Sequence, residues 1–273
     1  MNAKDLQKIV VRMLFDQTFC DSIYKDPTAV LGDLPIAAKT YEWLRRADRR
    51  RWHVDTLRCA RTLSVLLEEY PASAVLYARH RSLNSMLSFF SSKFFHDAIM
   101  DEVPLPLAFG SWLETSLFVD SSMVKLELAI ARRRRLIPHA GNQSPYCLSP
   151  TTELLSLEEG TLLRYQKIKA TLPSDPQDMV KHLMALPTRQ DISKRPRSTK
   201  TEEFVIVDLS PNGGIGDSSE ELYRWLSHFG DGLTHEEMVA MSLTLGLQHN
   251  DSLSLLQEMA ADGLLIVNTN VPT

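Results

Sequence analysis

The chain has 273 residues, of which 44% are apolar and 23% are charged. This composition is typical of a globular protein with a sizeable core, and the length predicts one large domain or two modest ones. No apolar run approaches the roughly 18 residues of a membrane-spanning helix, and the N-terminal stretch lacks the apolar core of a signal peptide, so we expect a cytoplasmic protein with no membrane association. The three cysteines are widely spaced and indicate neither a disulfide framework nor a metal site.

Charge is divided unevenly along the chain. Residues 1–150 contain 20 basic and 16 acidic residues, for a net charge of +4. Residues 201–273 contain one basic residue, Arg224, and 12 acidic residues, for a net charge of −11. Together with a stretch rich in turn-forming residues at 138–145, this asymmetry predicts two domains, 1–140 and 146–273. The basic, polar stretch 193–200 is predicted to be an exposed loop of the second domain.

The first domain is predicted to be all-helical, with five to seven helices. Leu6, Ile9 and Met13 follow the spacing of one apolar helical face. Further helical patterns cover 72–100 and 111–136, with prolines between them. No stretch of this half alternates long enough to predict a strand.

The second domain is predicted to mix strands and helices. Two β-leaning runs, 152–157 and 161–168, flank a short glycine-containing loop and predict a hairpin. The strongest strand signal is 203–209, which is short and rich in β-branched residues, and 264–267 predicts a final strand. The glycine-rich stretch 212–216 lacks the Lys-Ser/Thr of a phosphate-binding loop and is interpreted as a turn from strand to helix.

Three punctuated helices complete the predicted second domain. Ser218 with Glu221 and Thr234 with Glu237 fit capping boxes, and a third helix begins at Asn250 or Asp251 and ends at Gly263. Strands followed by three short helices predict a winged-helix-like domain. The fold class is therefore predicted to be α+β, mostly α, with an N-terminal helical domain followed by a winged-helix-like domain.

Charge argues against nucleic-acid binding by this domain. DNA binding requires Lys and Arg to neutralise phosphates. The predicted third helix contains neither over 251–262, and the acidic C-terminal stretch repels a polyanion. Two arginine clusters, 45–51 and 132–135, have two open interpretations: an internally paired or solvated face, or a docking surface for an acidic partner.

No catalytic or metal-binding constellation is visible in the sequence. His96 and Asp97 lie near Asp101 and Glu102, but the His-x-x-x-His spacing of a metal site is missing, and surface histidines near helix caps are the preferred interpretation. Cys59 is flanked by arginines, which lower a thiol pKa, yet no fixed base lies nearby in sequence. We therefore predict no catalytic residue and no metal ligand in this chain.

A family resemblance follows from several of these motifs. The apolar helix 222–226, the step Gly232–Glu237 and the run Leu256–Leu265 resemble the leader-peptide recognition elements of ribosomal peptide natural-product pathways. In the first half, Leu14–Phe19 and Asp48–Trp52 are similar to stretches of the partner subunits that accompany multinuclear iron oxygenases acting on peptides.

The resemblance implies a non-catalytic subunit of a heterodimer with a multinuclear iron oxygenase. Such a subunit binds the leader of a ribosomally made precursor peptide and presents its cysteine to the enzyme, which holds the iron; no cofactor is implied for this chain. The implied chemistry is carbon excision from a C-terminal cysteine, as in 3-thiaglutamate synthesis. The alternatives are a methanobactin-type partner, involved in oxazolone and thioamide formation, and a winged-helix adaptor or regulator.

The resemblance and the order of elements also predict where the peptide docks. A peptide can bind by pairing its backbone with an exposed sheet edge. We predict such pairing beside the strand at 203–208, with the third helix lining the groove. The predicted peptide-binding residues are Phe204, Val205, Ile206, Val207, Asp208, Leu253 and Gln257.

Overall fold

A computed structural model gives the fold of the chain. The residues that it describes are 3–32, 38–52, 56–116, 119–135, 144–173, 175–186, 201–211, 213–244, 246 and 248–268. Residues 138–143 of the predicted domain boundary and the whole predicted loop 193–200 lie outside the described residues.

Helices form most of the described chain, and the strands are short, which confirms the predicted α+β, mostly α class. The α-helices are α1 (Ala3–Phe15), α2 (Gln17–Lys25), α3 (Pro27–Leu31), α4 (Ala38–Arg46), α5 (Thr56–Glu69), α6 (Pro71–Ala78), α7 (Lys93–Asp101), α8 (Leu105–Glu114), α9 (Ser121–Arg133), α10 (Thr161–Thr171), α11 (Pro176–Ala185), α12 (Glu220–Ser227), α13 (His235–Thr244) and α14 (His249–Ala261). The strands are β1 (Tyr146–Leu148), β2 (Thr152–Glu158), β3 (Glu202–Asp208), β4 (Ile215–Ser218) and β5 (Leu265–Val267). Two 3₁₀ helices span Arg49–Trp52 and Leu83–Ser91.

The chain divides into two compact units whose bounds differ from the predicted domains. The first unit is Met1–Asp120 with Thr171–Ile192, and the second is Ser121–Ala170 with Ser193–Thr273. Helix α9 belongs to the second unit because it packs on β2 and β3, whereas α11 belongs to the first because it packs on α5 and α6. Composition and turn-forming residues are local signals, so they do not predict which helices pack together.

The first unit is helical over its described residues, as predicted, but its helices are shorter and more numerous. Over the described residues of the predicted first domain, 1–140, there are nine α-helices, α1 to α9, against the predicted five to seven. The pattern at 72–100 breaks where Ser92 caps α7, since its Oγ accepts a hydrogen bond of 3.3 Å from Phe95 N–H. An aromatic cluster that includes Phe89, Phe90, Phe95 and Phe109 is fully buried in the core.

The described residues of the second unit form two antiparallel sheets, with strand orders β1-β5 and β2-β3-β4. The predicted hairpin between 152–157 and 161–168 is wrong, because the second run is helix α10 and β2 instead pairs with β3. The buried residues of α10 follow helical spacing: Thr161, Leu162, Tyr165 and Ile168. Glu203 stabilises the helix start, since its carboxylate accepts hydrogen bonds from Gly160 N–H and Leu162 N–H at 2.9 and 2.6 Å.

Both faces of the three-stranded sheet are covered by helices at β2 and β3. Ile206 packs on one face against the core of α12, α13 and α14, which contains Trp225 and Phe229. The opposite face meets α9, where Arg132 and Arg133 hold Glu153 of β2 at 2.8 and 2.9 Å. These two arginines are therefore internally paired.

The three predicted C-terminal helices are confirmed as α12, α13 and α14. The capping box of α13 is formed as predicted: Thr234 N–H donates to Glu237 Oε2 at 2.8 Å, and Glu237 N–H donates to Thr234 Oγ1 at 3.3 Å. The cap of α12 is Ser219 rather than the predicted Ser218, and α14 begins after Gln248 rather than at Asn250 or Asp251.

Candidate functional site

The predicted docking strand, β3, is the central strand of its sheet. It pairs with β2 from Thr152 to Glu158 on one side and with β4 from Ile215 to Ser218 on the other. A peptide therefore cannot add directly beside β3, and that part of the prediction is wrong. The reason is that Ile215 and Gly216, interpreted as the end of a turn, and Ser218, interpreted as a helix cap, belong to strand β4.

The five predicted residues of β3 divide between the two faces of the sheet. Val205 and Val207 are completely buried on the face that meets α9. On the other face, Phe204 is half-buried and packs on Tyr223 of α12 with 4.7 Å between ring centroids, while Ile206 contacts the helical core. Asp208, also buried, ends the strand at the turn that leads to β4.

A groove lies along β4 on the face that carries Ile206. Its walls are β4 with the preceding glycines on one side, and Ala261, Asp262 and Leu264 at the end of α14 on the other. Ile206 and Asp208 of β3 also line it, and its volume is about 480 Å³. Two predicted peptide-binding residues thus line the groove.

The two predicted helix residues, Leu253 and Gln257, are not among the residues that line the groove. Leu253 packs against the helical core instead. Gln257 is exposed and lies one helical turn before Ala261, which does line the groove.

Asp208 organises the turn that places β4. Its carboxylate accepts hydrogen bonds from Thr151 Oγ1 at 3.0 Å and from Ser210 N–H at 3.1 Å, and its backbone N–H donates to Gly214 O at 2.8 Å. A Cβ at Gly213 would lie 2.6 Å from Asp208 O, so only glycine fits this close approach. The Asp208 carboxylate is therefore occupied by the protein itself.

The outer edge of β4 exposes its hydrogen-bonding groups. In an antiparallel ladder, residues alternate between those that bond to the neighbouring strand and those that point away. The Asp208–Gly214 bond and the register place Gly216 and Ser218 in bonded positions toward β3. The N–H and C=O groups of Ile215 and Asp217 consequently point outward, and among the described residues no further strand pairs with β4.

The other outer edge of the sheet, that of β2, is partly satisfied. Thr152 N–H donates to Ser149 O at 2.9 Å, and Glu158 N–H donates to Ser122 Oγ at 3.1 Å. Both ends of this edge are therefore bonded within the second unit. Between these ends, Leu154 and Ser156 also direct backbone groups outward, but the β4 edge is the one that borders the groove.

The groups considered for chemistry have structural partners. His96 is mostly buried rather than a surface residue, with Nε2 2.9 Å from Asp16 and Nδ1 accepting from Arg12. Burial raises the pKa of Cys20 to about 11 and also raises the pKa of Cys147, which disfavours a reactive thiolate. In the described part of the chain, no three His, Cys, Asp or Glu residues cluster as metal ligands do.

No family model matches this chain, and no curated protein sequence matches it. Among the described helices, none is both long enough and apolar enough to cross a bilayer. The site is therefore interpreted from its own geometry.

Sequence reasoning missed the main elements of this groove: Ile215, Gly216 and Asp217 of β4, and Asp262 after α14. A signal was present, because a strong strand followed by turn-forming residues and a short segment beginning with isoleucine is the pattern of a hairpin. The two glycines at 213 and 214 made a loop the simpler interpretation.

Proposed function

We propose that this protein is a non-catalytic subunit that binds a peptide by strand addition onto β4. The observation that carries the proposal is the open edge, where Ile215 and Asp217 direct backbone N–H and C=O groups outward beside the groove. Strand addition uses such groups for affinity, and the adjacent pockets select side chains. The proposed docking strand is therefore β4, the edge strand beside β3, rather than β3 itself.

The proposed occupant is the leader segment of a ribosomally made precursor peptide. This identity rests on the resemblance carried by Gly232–Glu237 and Leu256–Leu265, which lie in and beside α13 and α14. With the small sheet of β1 and β5 and the bridge from Tyr146 to Leu233, these helices support a winged-helix-like arrangement. The groove lies at the end of α14, the third helix of that arrangement.

The proposed catalytic partner is a multinuclear iron oxygenase. On the resemblance, that partner holds the iron and oxidises the cysteine of the bound peptide, with carbon excision from a C-terminal cysteine as the favoured chemistry. The described residues of this chain do not fit an iron cluster, since they contain no group of three or more clustered His, Cys, Asp or Glu. On the resemblance, this chain supplies binding and orientation of the peptide.

Proline substitution at the outward edge tests the binding mode. Asp217→Pro removes the outward N–H but no bond to β3, whereas Asp217→Ala removes the carboxylate and keeps the N–H. Peptides selected from a random display library on the wild-type protein serve as probes, measured by fluorescence anisotropy. We expect Asp217→Pro to weaken binding at least about tenfold and Asp217→Ala to weaken it much less, because one or two backbone bonds of roughly 1 kcal/mol are lost only in the first.

The folded state of both variants is checked by circular dichroism and thermal denaturation. Selected peptides that bind Asp217→Pro as tightly as the wild type would show that β4 is not the docking strand. Val205→Pro is not a suitable variant, because Val205 N–H bonds to β2. The bond of 3.1 Å from Leu209 N–H, directly after β3, to Thr151 O sets the alternation that turns the odd-numbered residues of β3 toward β2. A loss of binding by Val205→Pro would report unfolding.

Co-expression tests the proposed partner. We would express the chain with a candidate iron oxygenase and purify through a tag on this chain alone. The proposal expects a stoichiometric heterodimer on size exclusion, with iron that follows the oxygenase. A monomer without partner or iron contradicts the partner role and leaves a peptide-binding adaptor. Mass spectrometry of the modified peptide separates carbon excision from oxazolone and thioamide formation.

A further inference from the structure

We infer that the peptide strand bound at β4 alternates apolar side chains, which enter the groove, with basic side chains, which face Asp217 on the opposite side of the sheet. The inference rests on the proposed strand addition and names the chemistry of the occupant. It follows from the two faces of the sheet at β4, which differ in polarity. Successive side chains of an extended peptide point to opposite faces, so alternate residues contact different faces.

The groove face selects apolar side chains. Directly opposed residues in a ladder point to the same face, so a peptide residue opposite Gly216 shares the face of Ile206. Ala261 and Leu264 form the far wall there. Gly216 itself has no side chain, and no atom lies within 4 Å of where its Cβ would be, which leaves room for an incoming side chain. Filling this space with an apolar group removes apolar surface from water.

The opposite face selects a cation. The register pairs Asp217 with Val205, so its side chain belongs to the face opposite Ile206, although the residue also borders the groove. A peptide residue opposite Asp217 lies beside its carboxylate, because cross-strand partners are neighbours on one face. Asp217 is exposed, and none of the ion pairs in the described part of the chain involves it. A Lys or Arg at this position of the peptide gains an ion pair without breaking one.

The end of α14 adds negative potential at the rim of the groove. Asp262 is the C-cap of α14, so its carboxylate lies at the helix terminus that carries the negative end of the dipole. It is exposed and lines the groove. The surrounding sequence strengthens the effect, since residues 201–273 have a net charge of −11. A basic peptide is attracted to this edge and an acidic one is repelled.

Three synthetic peptides of equal length test the inference, each about nine residues long with valine at alternate positions. The intervening residues are lysine in the first, serine in the second and glutamate in the third. Affinity for the wild-type protein should follow lysine, then serine, then glutamate. Asp217→Asn and Asp262→Asn should each weaken the lysine peptide about two- to fivefold, as exposed ion pairs do, and leave the serine peptide unchanged.

Asp231→Asn is the matched control, because it removes the same charge from an exposed residue of the second unit that does not line the groove. Equal weakening by Asp231→Asn would show general attraction to an acidic protein and overturn the inference. Equal affinity for all three peptides, abolished by Asp217→Pro, would overturn the inference and leave strand addition standing. Failure of every peptide to bind, together with failure of library selection, would overturn both.

Discussion

Two polar regions of this chain differ in whether their hydrogen bonds are already made. In the first unit, Asp16 Oδ1 accepts from Thr18 N–H at 2.9 Å and Phe19 N–H at 3.2 Å, and Oδ2 accepts from His96 Nε2 at 2.9 Å. His96 Nδ1 in turn accepts from Arg12 Nε at 3.0 Å. Because arginine only donates, Nδ1 is the accepting nitrogen of His96 in this contact and Nε2 is the one that donates to Asp16. Each group of the cluster is satisfied from within the protein.

The edge of β4 in the second unit is the opposite case. Ile215 and Asp217 present backbone groups that no described strand pairs, although the turn behind them is tightly bonded through Asp208. A closed polar cluster stabilises the fold, whereas an open edge reserves its hydrogen bonds for another chain. Substitutions in the cluster should therefore reduce stability, and substitutions at the edge should reduce binding with little loss of stability.

The largest stability effect is expected from the closed cluster. Asp16→Ala removes a helix cap and leaves the buried Nε2 of His96 without its carboxylate, so we expect a loss of about 3 kcal/mol in the free energy of unfolding. Urea denaturation measures this loss. Asp26→Ala is the matched control, because Asp26 caps α3 with the same two kinds of backbone bond, from Thr28 and Ala29, but is exposed.

The control should lose only about 1 kcal/mol, the usual contribution of a cap. The difference between the two variants measures what the buried network adds beyond capping. Equal losses of stability for Asp16→Ala and Asp26→Ala would show that the His96 contact contributes nothing to stability. The Asp16 cluster would then be no more stabilising than an exposed helix cap.

A smaller effect is expected where the open edge depends on its turn. Gly213→Ala forces a Cβ within 2.6 Å of Asp208 O, so the turn must shift, at a cost of about 2 kcal/mol. Gly214→Ala is the control, since no atom lies within 4 Å of its Cβ position. We also expect Gly213→Ala to weaken peptide binding, because β4 is displaced. Similar denaturation curves for the two variants would show that the turn does not position β4.

Much of the fold was predictable because its signals are local. The strand at 203–209 carries its own β-branched composition, and Thr234 and Glu237 form their capping box within one turn of helix. Helix α10 was equally local, yet it was missed because its threonine and isoleucine suggested a strand. The spacing of Leu162, Tyr165 and Ile168 is that of one helical face and indicates the helix.

The candidate site was less predictable because it depends on pairing. Ile215–Ser218 contains a glycine and an aspartate, both poor strand formers, and becomes a strand only because the Asp208 turn aligns it with β3. Adding that strand moves the open edge away from Val205 and Val207. Long-range pairs have the same difficulty: the contact between Asp16 and His96 spans 80 positions, and neither residue predicts the other.

The smallest expected effect is the pH dependence of the Asp16 contribution. Burial raises the pKa of Asp16, but the hydrogen bonds from His96 and from Phe19 N–H outweigh it and hold the pKa below the ordinary value of 3.8. A carboxyl group with a lowered pKa in the folded state contributes stability that is present above its unfolded-state pKa and is lost as the pH falls through the folded-state value. The contribution of Asp16 should therefore be constant above that ordinary value and fade in more acidic solution.

Asp16→Asn isolates this effect, because asparagine keeps the shape and an accepting oxygen but does not ionise. The difference in unfolding free energy between the wild type and Asp16→Asn should be largest at about pH 5 and should narrow toward about pH 3, measured by urea denaturation at each pH. A difference that stays constant over this range would mean that the charge of Asp16 adds nothing to the cluster. The closed region would then resemble an ordinary helix cap, and only the open edge of β4 would distinguish the two units in function.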